Sequence, residues 1–431
     1  MRVTDWHSLS ADARRDILRR PAQRDAPGVA DTVQAIVARV RRDGDAALAA
    51  LTEQFDGAKV ASLRVTEAEF LAAERALDES QHAAIDRAIA TVRCFHSAQL
   101  QAPLRVETAP GVVCERLILP IGAVGLYVPA GSAPLPSSAI MLAVPAALAG
   151  CPTRILCTPP AGDGKAHPAI LVAARRAGVE QVFKVGGAQA IAAMAYGTAT
   201  IPKCDKIFGP GNAWVTAAKL HVAQDPHGAA ADLPAGPTEV LVIADTSARP
   251  EFVAADLLAQ AEHSPEAQAI LITTSTALAA RVAEEISRQV STLSRSSILQ
   301  QSLQGLRLLT VDSLDTAFGI ANEYAPEHLL LEIRDARSWL LHVQAAGAVF
   351  LGHWSPESMG DYCSGPNHTL PTYGYARAYS GLSTEDFQKR LTVQELTREG
   401  LKLLGPTAKV LAGLEGLDAH AAAVSIRMEF Q

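Results

Sequence analysis

Residues 153–196, TRILCTPPAGDGKAHPAILVAARRAGVEQVFKVGGAQAIAAMAY, alternate between β-rich runs and alanine-rich runs of helical character. The β-rich runs cover residues 153–157 and 182–185, and the helical runs cover 167–177 and 188–196. This rhythm predicts parallel strands joined by crossover helices, which is the α/β class of fold. In that class, ligands are expected beyond the carboxyl ends of the strands.

The same rhythm extends outward in both directions. It begins near Val113, and a second series of β and α runs follows between residues 240 and 333. Apolar side chains at helical spacing predict helices in residues 31–98, where Thr66 resembles an N-cap. After Gly381 the pattern predicts three short helical segments. Because 431 residues exceed what one hydrophobic core usually supports, two α/β domains are the simplest prediction.

The composition is that of a folded protein without affinity for polyanions. Hydrophobic residues make up 48% and charged residues 19% of the chain, which argues against intrinsic disorder. A net charge of −7 without a long basic run predicts no nucleic-acid partner. The first residues lack the apolar core of a signal peptide, and the longest apolar stretch is too short for a membrane span. Six cysteines without a CxxC pair complete the prediction of a cytoplasmic protein.

Two Glu-His pairs beside prolines carry the strongest chemical signal. Before the first pair, Gln260 stands three residues from His263, which places both side chains on one helix face as two ligands for a cation. The alternative is a helix end at which His263 caps carbonyl groups. In the second pair, Glu327 and His328 combine a carboxylate with an imidazole for acid-base chemistry near neutral pH. The alternative is a surface carboxylate beside a histidine at a strand edge.

A glycine-punctuated loop, GDYCSGPNH, offers Asp361 and His368. Carboxylate oxygen and imidazole nitrogen together suit zinc or manganese. The alternative for Asp361 is an Asx turn without a ligand. Further along, His420 lies on the apolar face of the last predicted helix, where a histidine is more often part of a core or interface than a metal ligand.

Two glycine-containing turns lie between predicted strands and helices. The turn KVGGAQA, residues 184–190, offers amides that suit a phosphate or another polar ligand, and the alternative is a tight turn without one. The turn FGPGNAW, residues 208–214, has Trp214 at the third glycine position of the dinucleotide fingerprint. A standard Rossmann phosphate cradle is therefore not supported.

These motifs occur together in an order that is far more specific than any one of them. They are GLYVP at 125–129, VGGAQAI at 185–191, GPGN at 209–212, QAEH at 260–263, NEYAPEH at 322–328, GDY at 360–362 and NHTLPT at 367–372. On these motifs, the chain resembles the histidinol dehydrogenase family over nearly its whole length.

The resemblance implies two incomplete Rossmann-like domains with parallel-rich sheets, together with smaller segments at both ends. The implied segments are a helical N-terminal segment at 1–23, a first α/β domain of 24–126 and 238–381 with the metal and catalytic residues, a second α/β domain of 127–237 on the NAD side, and a C-terminal helical arm at 382–431. The arm would be exchanged between the subunits of a homodimer.

The resemblance also implies the residues of the site. One zinc ion per subunit would be held by Gln260, His263, Asp361 and His420. Catalysis would fall to Glu327 and His328, and NAD would contact Tyr127, Gln189 and Asn212. The substrate would contact Thr238, Gln260, His263, Glu327, Asp361, His368, Glu415 and His420. The partner subunit would donate Glu415 and His420.

The implied reaction is the four-electron oxidation of L-histidinol to L-histidine through histidinal, which forms the last steps of histidine biosynthesis. His328 would accept the hydroxyl proton while a first NAD takes hydride. Glu327 would then activate water to attack the aldehyde, and a second NAD would take the second hydride. The alternatives are a zinc hydrolase in which Glu327 activates metal-bound water, a related dehydrogenase of another small hydroxy compound, and a metal-binding module without catalysis.

Overall fold

The computed structural model describes residues 2–20, 28–130, 133–234 and 236–430. The strands, in chain order, are β1 (Val3–Asp5), β2 (Leu104–Ala109), β3 (Val112–Pro120), β4 (Ala123–Tyr127), β5 (Thr153–Thr158), β6 (Gln181–Lys184), β7 (Lys206–Phe208), β8 (Ala230–Ala231), β9 (Glu239–Ala244), β10 (Gln268–Thr273), β11 (Arg307–Thr310), β12 (His328–Glu332), β13 (Ala348–Leu351) and β14 (Gln388–Leu396).

The α-helices, also in chain order, are α1 (Ala11–Ile17), α2 (Val29–Asp43), α3 (Asp45–Asp56), α4 (Glu67–Ala76), α5 (Glu79–Ser97), α6 (Pro136–Leu148), α7 (Pro168–Arg176), α8 (Gly187–Tyr196), α9 (Ala213–Gln224), α10 (Pro250–Ala261), α11 (Thr276–Val290), α12 (Ser296–Ser302), α13 (Leu314–Tyr324), α14 (Glu357–Tyr362), α15 (Arg398–Leu414) and α16 (Asp418–Glu429). Strands and helices alternate from β4 to α9 and again, with α11 and α12 in succession, from β9 to β12, so the predicted α/β class is confirmed.

The larger sheet has six parallel strands in the order β1-β11-β10-β9-β12-β13. Every residue of its central strands β9, β10 and β12 is buried. Helices α10 and α11 cover one face and α13 covers the other. A parallel sheet needs such cover on both faces, which is why its strands read as continuous apolar runs.

The second sheet has five parallel strands in the order β6-β5-β4-β7-β8. Helices α6 and α7 pack on one face, and α8 and α9 pack on the other. Both sheets are therefore parallel throughout, as the alternating pattern predicts. None of the helices in the described residues is both long enough and apolar enough to cross a bilayer.

Residues 24–126, which the resemblance groups with 238–381, contain four helices that pack with the helices of the five-stranded sheet, and the division into domains stays a prediction. Helices α4 and α5 share a core with α6 and α7, while α2 and α3 share a core with α8 and α9. In addition, β4 belongs to the five-stranded sheet. Helical periodicity carries no information about the sheet on which a buried face packs. The N-cap at Thr66 is confirmed as a capping box with Glu69.

The two ends of the chain contain strands that the pattern did not predict. The N-terminal segment has the expected helix α1, and β1 before it joins the edge of the six-stranded sheet. In the C-terminal arm, the three predicted helical segments are present as a 3-10 helix at Thr384–Phe387, α15 and α16, but the pattern did not predict the strand between the first two. Residues 388–396 form β14, which pairs antiparallel with β3 in a three-stranded sheet ordered β14-β3-β2, and α15 and α16 follow. Charged residues in β14 resemble a helical surface, whereas pairing with a distant strand determines its structure.

The two parallel sheets present opposite ends to the predicted site residues. In the five-stranded sheet, Tyr127 ends β4 and Asn212 caps the helix that follows β7, so these residues lie at carboxyl ends as expected. In the six-stranded sheet, Glu239 begins β9 and His328 begins β12, so the expectation of carboxyl ends is wrong there. The chain enters β12 through Ala325, whose φ of 53° makes the irregular turn that the proline predicts.

Candidate active site

The carboxylate of Glu327 is held at the amino ends of β9 and β12. Its Oε2 accepts a hydrogen bond of 2.5 Å from Oγ1 of Thr238 and one of 2.8 Å from the main-chain N–H of Glu239. Burial raises the pKa of Glu327 to about 7, although His328 and these two donors act in the opposite direction. A carboxyl group with this pKa can take up and release a proton near neutral pH.

His328 is 3% exposed and lies among three carboxylates. Its Nδ1 lies 3.6 Å from Oε2 of Glu327 and 3.7 Å from Oε1 of Glu357, while its Nε2 lies 3.6 Å from Oδ1 of Asp361. Burial lowers the pKa of the imidazole, but these carboxylates outweigh burial and raise it to about 10. The main-chain oxygen of Glu239 lies 3.2 Å from Nδ1, so we assign the Nδ1–H tautomer to the neutral ring.

Three side chains form a group that suits a cation. His263, Glu357 and Asp361 each offer one ligand atom, and these atoms all lie within 4.8 Å of one another. Nε2 of His263 lies 4.0 Å from Oδ2 of Asp361. Imidazole nitrogen and carboxylate oxygen are both ligands that zinc accepts. The structure therefore brings two of the predicted metal ligands together and adds Glu357 to them.

The carboxamide of Gln260 adjoins this group and provides a test of whether a cation fits. In one orientation its nitrogen contacts Oγ1 of Thr238, and its oxygen faces both carboxylate oxygens of Glu357. In the other orientation its nitrogen donates to those oxygens at 2.5 and 3.0 Å. The first orientation gathers three acceptor oxygens, an arrangement that a bound cation stabilises, and the second is satisfied without one. The fit to a metal ion therefore rests on the imidazole and the two carboxylates, and Gln260 adds a carboxamide oxygen in the first orientation only.

Glu357 is a buried residue that the motifs did not identify. It is 1% exposed at the start of α14, and burial raises the pKa of its carboxyl well above the usual range. A local signal was present, because Glu357 precedes Asp361 by four residues and both carboxylates therefore lie on one face of the helix. Recognising α14 as a helix was necessary to use that signal.

His368 connects the two halves of the site. Its Nδ1 lies 2.9 Å from the main-chain oxygen of Asp361, and its Nε2 lies 3.3 Å from Oγ of Ser138. Ser138 belongs to α6, which packs on the five-stranded sheet. Burial lowers the pKa of His368, and the neutral ring then has one donor and one acceptor for these two contacts.

A cavity of about 1030 Å³ joins the residues predicted for NAD to His263, one of the predicted metal ligands. Tyr127, Gln189 and Asn212 line it from the five-stranded sheet, and Glu262 and His263 line it from the end of α10. The cavity thus makes one continuous space from two sets of residues that lie far apart in the sequence.

Two of the predicted NAD residues also build the local backbone. The hydroxyl oxygen of Tyr127 accepts a 3.0 Å hydrogen bond from the N–H of Gly187 at the start of α8, and burial raises its pKa to about 12. Oδ1 of Asn212 caps α9 by accepting from two main-chain N–H groups at 3.1 Å. Gly209 has φ of 125°, and a Cβ there would lie 2.1 Å from the main-chain oxygen of Tyr127. This close approach explains why residue 209, in the turn before Asn212, is a glycine.

Asp56 also lines the cavity and was not identified from the sequence. It ends α3, and its Oδ2 is buried without a hydrogen-bond partner among the described residues. Burial raises the pKa of this carboxyl to about 6. A buried acceptor that lacks a donor in a ligand-sized cavity is a candidate for contact with a ligand hydroxyl.

Two of the predicted site residues are not brought to the site within one chain. Glu415 and His420 are exposed near the junction of α15 and α16. Within the described residues, the group that could hold a metal contains His263, Glu357 and Asp361 and does not include His420. Donation of Glu415 and His420 by a partner subunit stays a prediction.

Comparisons with known proteins match the whole chain. The family model described as histidinol dehydrogenase matches residues 18–428. The chain is 56% identical to histidinol dehydrogenase of Xanthomonas axonopodis pv. citri (strain 306) over 429 residues, 99% of each chain. It is 51% identical to the Vibrio cholerae (serotype O1) enzyme of the same name, over 100% of this chain and 99% of that one. The crystal structure of histidinol dehydrogenase from Elizabethkingia anophelis superposes with a TM-score of 0.95 at 44% identity, covering 100% and 98% of the two chains.

Proposed function

The chain belongs to the histidinol dehydrogenase family and is thereby an oxidoreductase of histidine biosynthesis. We propose that it oxidises L-histidinol to L-histidine through histidinal, with two NAD per histidinol and one zinc ion per subunit. The observation that carries this proposal is the cavity that reaches from Tyr127, Gln189 and Asn212 to His263. Such a space allows a nicotinamide and a metal-held substrate to meet.

The proposed zinc ligands are Gln260, His263, Asp361 and the partner's His420. A carboxamide oxygen, two imidazoles and a carboxylate are a suitable donor set; His263 and Asp361 adjoin each other, and Gln260 adjoins Glu357 of the same group. Bound zinc would supply a positive charge that holds the amino and imidazole nitrogens of histidinol. Asp361, His263 and Gln260 would thereby fix the substrate, with Thr238, His368 and the partner's Glu415 as further contacts.

The lining of the cavity supports NAD as the other cofactor, since about 1030 Å³ accommodates a large ligand. The amino end of α8, at Gly187, lies in the wall, and main-chain N–H groups at such an end favour a phosphate. Asp56 would offer a ribose hydroxyl its Oδ2, which has no hydrogen-bond partner in the described part of the chain. Bound NAD would accept the hydride in each of the two oxidations.

We assign the first proton transfer to His328. A cation bound at Asp361 would offset the carboxylates that raise the pKa of His328 and would favour the neutral ring; in that ring Nδ1–H donates to the main-chain oxygen of Glu239, so Nε2 carries the lone pair that accepts a proton. Nε2 also lies on the side of Asp361, where the substrate would be held. The hydroxyl proton of histidinol therefore moves to Nε2 as hydride leaves the carbon, which gives the aldehyde.

We assign the activation of water to Glu327. Thr238 and the main chain of Glu239 both bind its Oε2, which leaves Oε1 to accept a proton from water. With a pKa of about 7, this carboxylate is a base of suitable strength near neutral pH. Water then adds to histidinal, and loss of the second hydride gives histidine. Retaining the aldehyde in one site protects it from other nucleophiles.

The proposed assembly is a cytoplasmic homodimer whose C-terminal arms are exchanged. Large apolar side chains on α15 and α16 are exposed in the single chain, including Leu414 at 80% and Ile426 at 61%. A surface of this kind is suited to contact with another polypeptide. Exchange of the arms would bring Glu415 and His420 to the partner's site.

The test is the stoichiometry of nicotinamide reduction. Purified protein with histidinol and NAD should reduce two NAD for each histidine formed, and a chelator should abolish the reaction. A zinc hydrolase would reduce no NAD. A dehydrogenase of another small hydroxy compound would act faster on that compound than on histidinol, and a metal-binding module would keep every measured property in Glu327→Gln and His328→Asn. Any of these three outcomes would overturn the proposal.

A further inference from the structure

Arg20 lies outside the site but binds a residue that touches both catalytic side chains. Its Nε and Nη2 donate to the two carboxylate oxygens of Glu239 at 2.5 and 2.9 Å. Its Nη2 also donates to the main-chain oxygen of Tyr324 at 2.7 Å, and the guanidinium lies 3.8 Å from the centre of the Tyr324 ring. The arginine is therefore fixed by a bidentate ion pair, a main-chain acceptor and an aromatic face.

The main chain of Glu239 binds both members of the acid-base pair. Its N–H donates to Oε2 of Glu327 at 2.8 Å, and its carbonyl oxygen accepts from Nδ1 of His328 at 3.2 Å. Its side chain is 1% exposed and also accepts a 3.0 Å hydrogen bond from the N–H of Tyr373. One peptide segment at the start of β9 therefore sets the orientation of the carboxylate and of the imidazole.

A buried carboxylate such as that of Glu239 is stable in place when a cation balances its charge. If the arginine is removed, the carboxylate must bind water, take up a proton or rotate toward solvent. Each of these responses disturbs the start of β9, and catalytic groups lose efficiency with small displacements. The ion pair also keeps an unbalanced negative charge away from Glu327, whose pKa the charge of Glu239 raises.

We propose that Arg20 is a positioning residue of the catalytic pair, which it holds through Glu239. This inference deepens the proposed function and rests on the roles assigned there to Glu327 and His328. It also explains why the N-terminal segment, whose strand β1 lies at the far edge of the sheet, returns to the amino end of β9.

The chain offers a matched control in Arg14, which lies in the same segment. Its Nε donates to the main-chain oxygen of Trp6 at 3.1 Å and its guanidinium lies 5.1 Å from the centre of that ring, but it does not contact Glu239. Arg14→Met thus removes an arginine with aromatic packing from the same N-terminal segment. Arg20→Lys retains a charge without the fork that binds both carboxylate oxygens.

We expect Arg20→Met to lower kcat for histidinol by about tenfold or more while the KM values for histidinol and NAD change less than about threefold. Arg20→Lys should recover part of kcat, and Arg14→Met should keep kcat near that of the unchanged chain. A kcat for Arg20→Met equal to that of Arg14→Met would overturn the inference. So would a loss confined to KM, or a loss explained fully by the fraction of unfolded protein.

A spectroscopic measurement separates this inference from the proposed function. In zinc-free protein with ¹⁵N-labelled histidine, the Nδ1 resonance of His328 should shift in Arg20→Met and remain in place in Arg14→Met, with His328→Asn identifying the signal. An unchanged resonance would contradict the positioning role even if the protein oxidises histidinol. If the unchanged chain reduces no NAD and the resonance still shifts, the proposed function fails and the structural coupling stands.

Discussion

Oδ1 of Asp361 lies 3.6 Å from Nε2 of His328, so a proposed metal ligand and the proposed base are neighbours. The same carboxylate approaches His263 through its other oxygen at 4.0 Å. Asp361 thus lies between the cation site and the imidazole that exchanges a proton. A cation at this carboxylate would reduce the negative charge that His328 experiences, which favours the neutral ring that can act as a base.

Glu327→Gln should affect the second oxidation more than the first. The change keeps the acceptor for Thr238 and Glu239 but removes the basic oxygen that activates water. We expect oxidation of histidinal to fall by roughly 100-fold or more and oxidation of histidinol to fall less, measured as NADH formed in a single turnover from each substrate. Glu332→Gln, at the other end of the strand that follows Glu327 and bonded to His353, should leave the ratio of the two rates unchanged. Equal losses in both steps for Glu327→Gln would contradict its assigned role.

Local periodicity was sufficient to predict much of the fold. The five apolar residues of α2 at helical spacing are all buried, as predicted: Val29, Val33, Ile36, Val37 and Val40. The βα alternation predicted both parallel sheets, because each strand and helix there has a pattern that its own burial imposes. Strand β14 was missed, since its structure depends on pairing with β3 and its exposed face has the composition of a helix surface.

The site was predicted in part for the same physical reason. Turns rich in glycine and proline marked Glu327, Asp361 and Asn212, because irregular backbone leaves a signature in sequence. Glu357 follows Pro356 and Asp56 precedes Gly57, but each of these pairs is also typical of an ordinary helix end, so neither marked a site. Which ends of the two sheets face the cavity depends on contacts between distant segments, and no local pattern contains that information.

Asp56→Asn should weaken the preference for NAD over NADP. A carboxylate in the cavity repels the 2′-phosphate of NADP, and with a pKa of about 6 it is charged at pH 8. We expect the ratio of the Kd for NADP to the Kd for NAD to fall by roughly tenfold, measured by tryptophan fluorescence because Trp214 also lines the cavity. Glu53→Gln removes the same charge from an exposed position of α3 and should leave the ratio unchanged. Equal ratios in both variants would refute this role.

His420→Asn should reduce bound zinc although the residue is exposed in the single chain. The proposed arm exchange makes it a ligand in the partner's site, so its loss should lower zinc content at a fixed free-zinc concentration by about tenfold or more, as for a lost metal ligand or its support. The metal content of dialysed protein, measured by mass spectrometry, checks this. His227→Asn, at an exposed turn, is the control and should retain zinc.

Mixing the His420→Asn and His263→Asn variants tests whether each site is built from both subunits. In a heterodimer with exchanged arms, one site receives both altered residues and the other receives neither, so partial activity should return. Verified heterodimers without any recovery would contradict the exchange. Unchanged zinc in His420→Asn would remove this residue from the proposed ligand set.

Asp256→Asn should stabilise the protein above neutral pH. Asp256 is 6% exposed in α10, one turn before Gln260, and burial followed by the charge of Glu332 raises its pKa from 3.8 to about 7. Between these two values the folded chain binds more protons than the unfolded chain, so the free energy of unfolding falls as pH rises through the window. Above pH 7 the carboxyl is ionised in both states, and the free energy of unfolding is then lower by as much as roughly 4 kcal/mol.

Asparagine has no carboxyl group to ionise. The free energy of unfolding of Asp256→Asn should therefore exceed that of the unchanged chain by most of this cost at pH 8 and by little of it at pH 4. Urea unfolding of zinc-free protein at both pH values measures the difference. Asp163→Asn, in an exposed loop, should change the free energy of unfolding by the same small amount at both pH values. A stability change for Asp256→Asn that is independent of pH would mean that this carboxyl ionises equally in the folded and unfolded chain, because only a pKa difference between the two states makes the effect depend on pH.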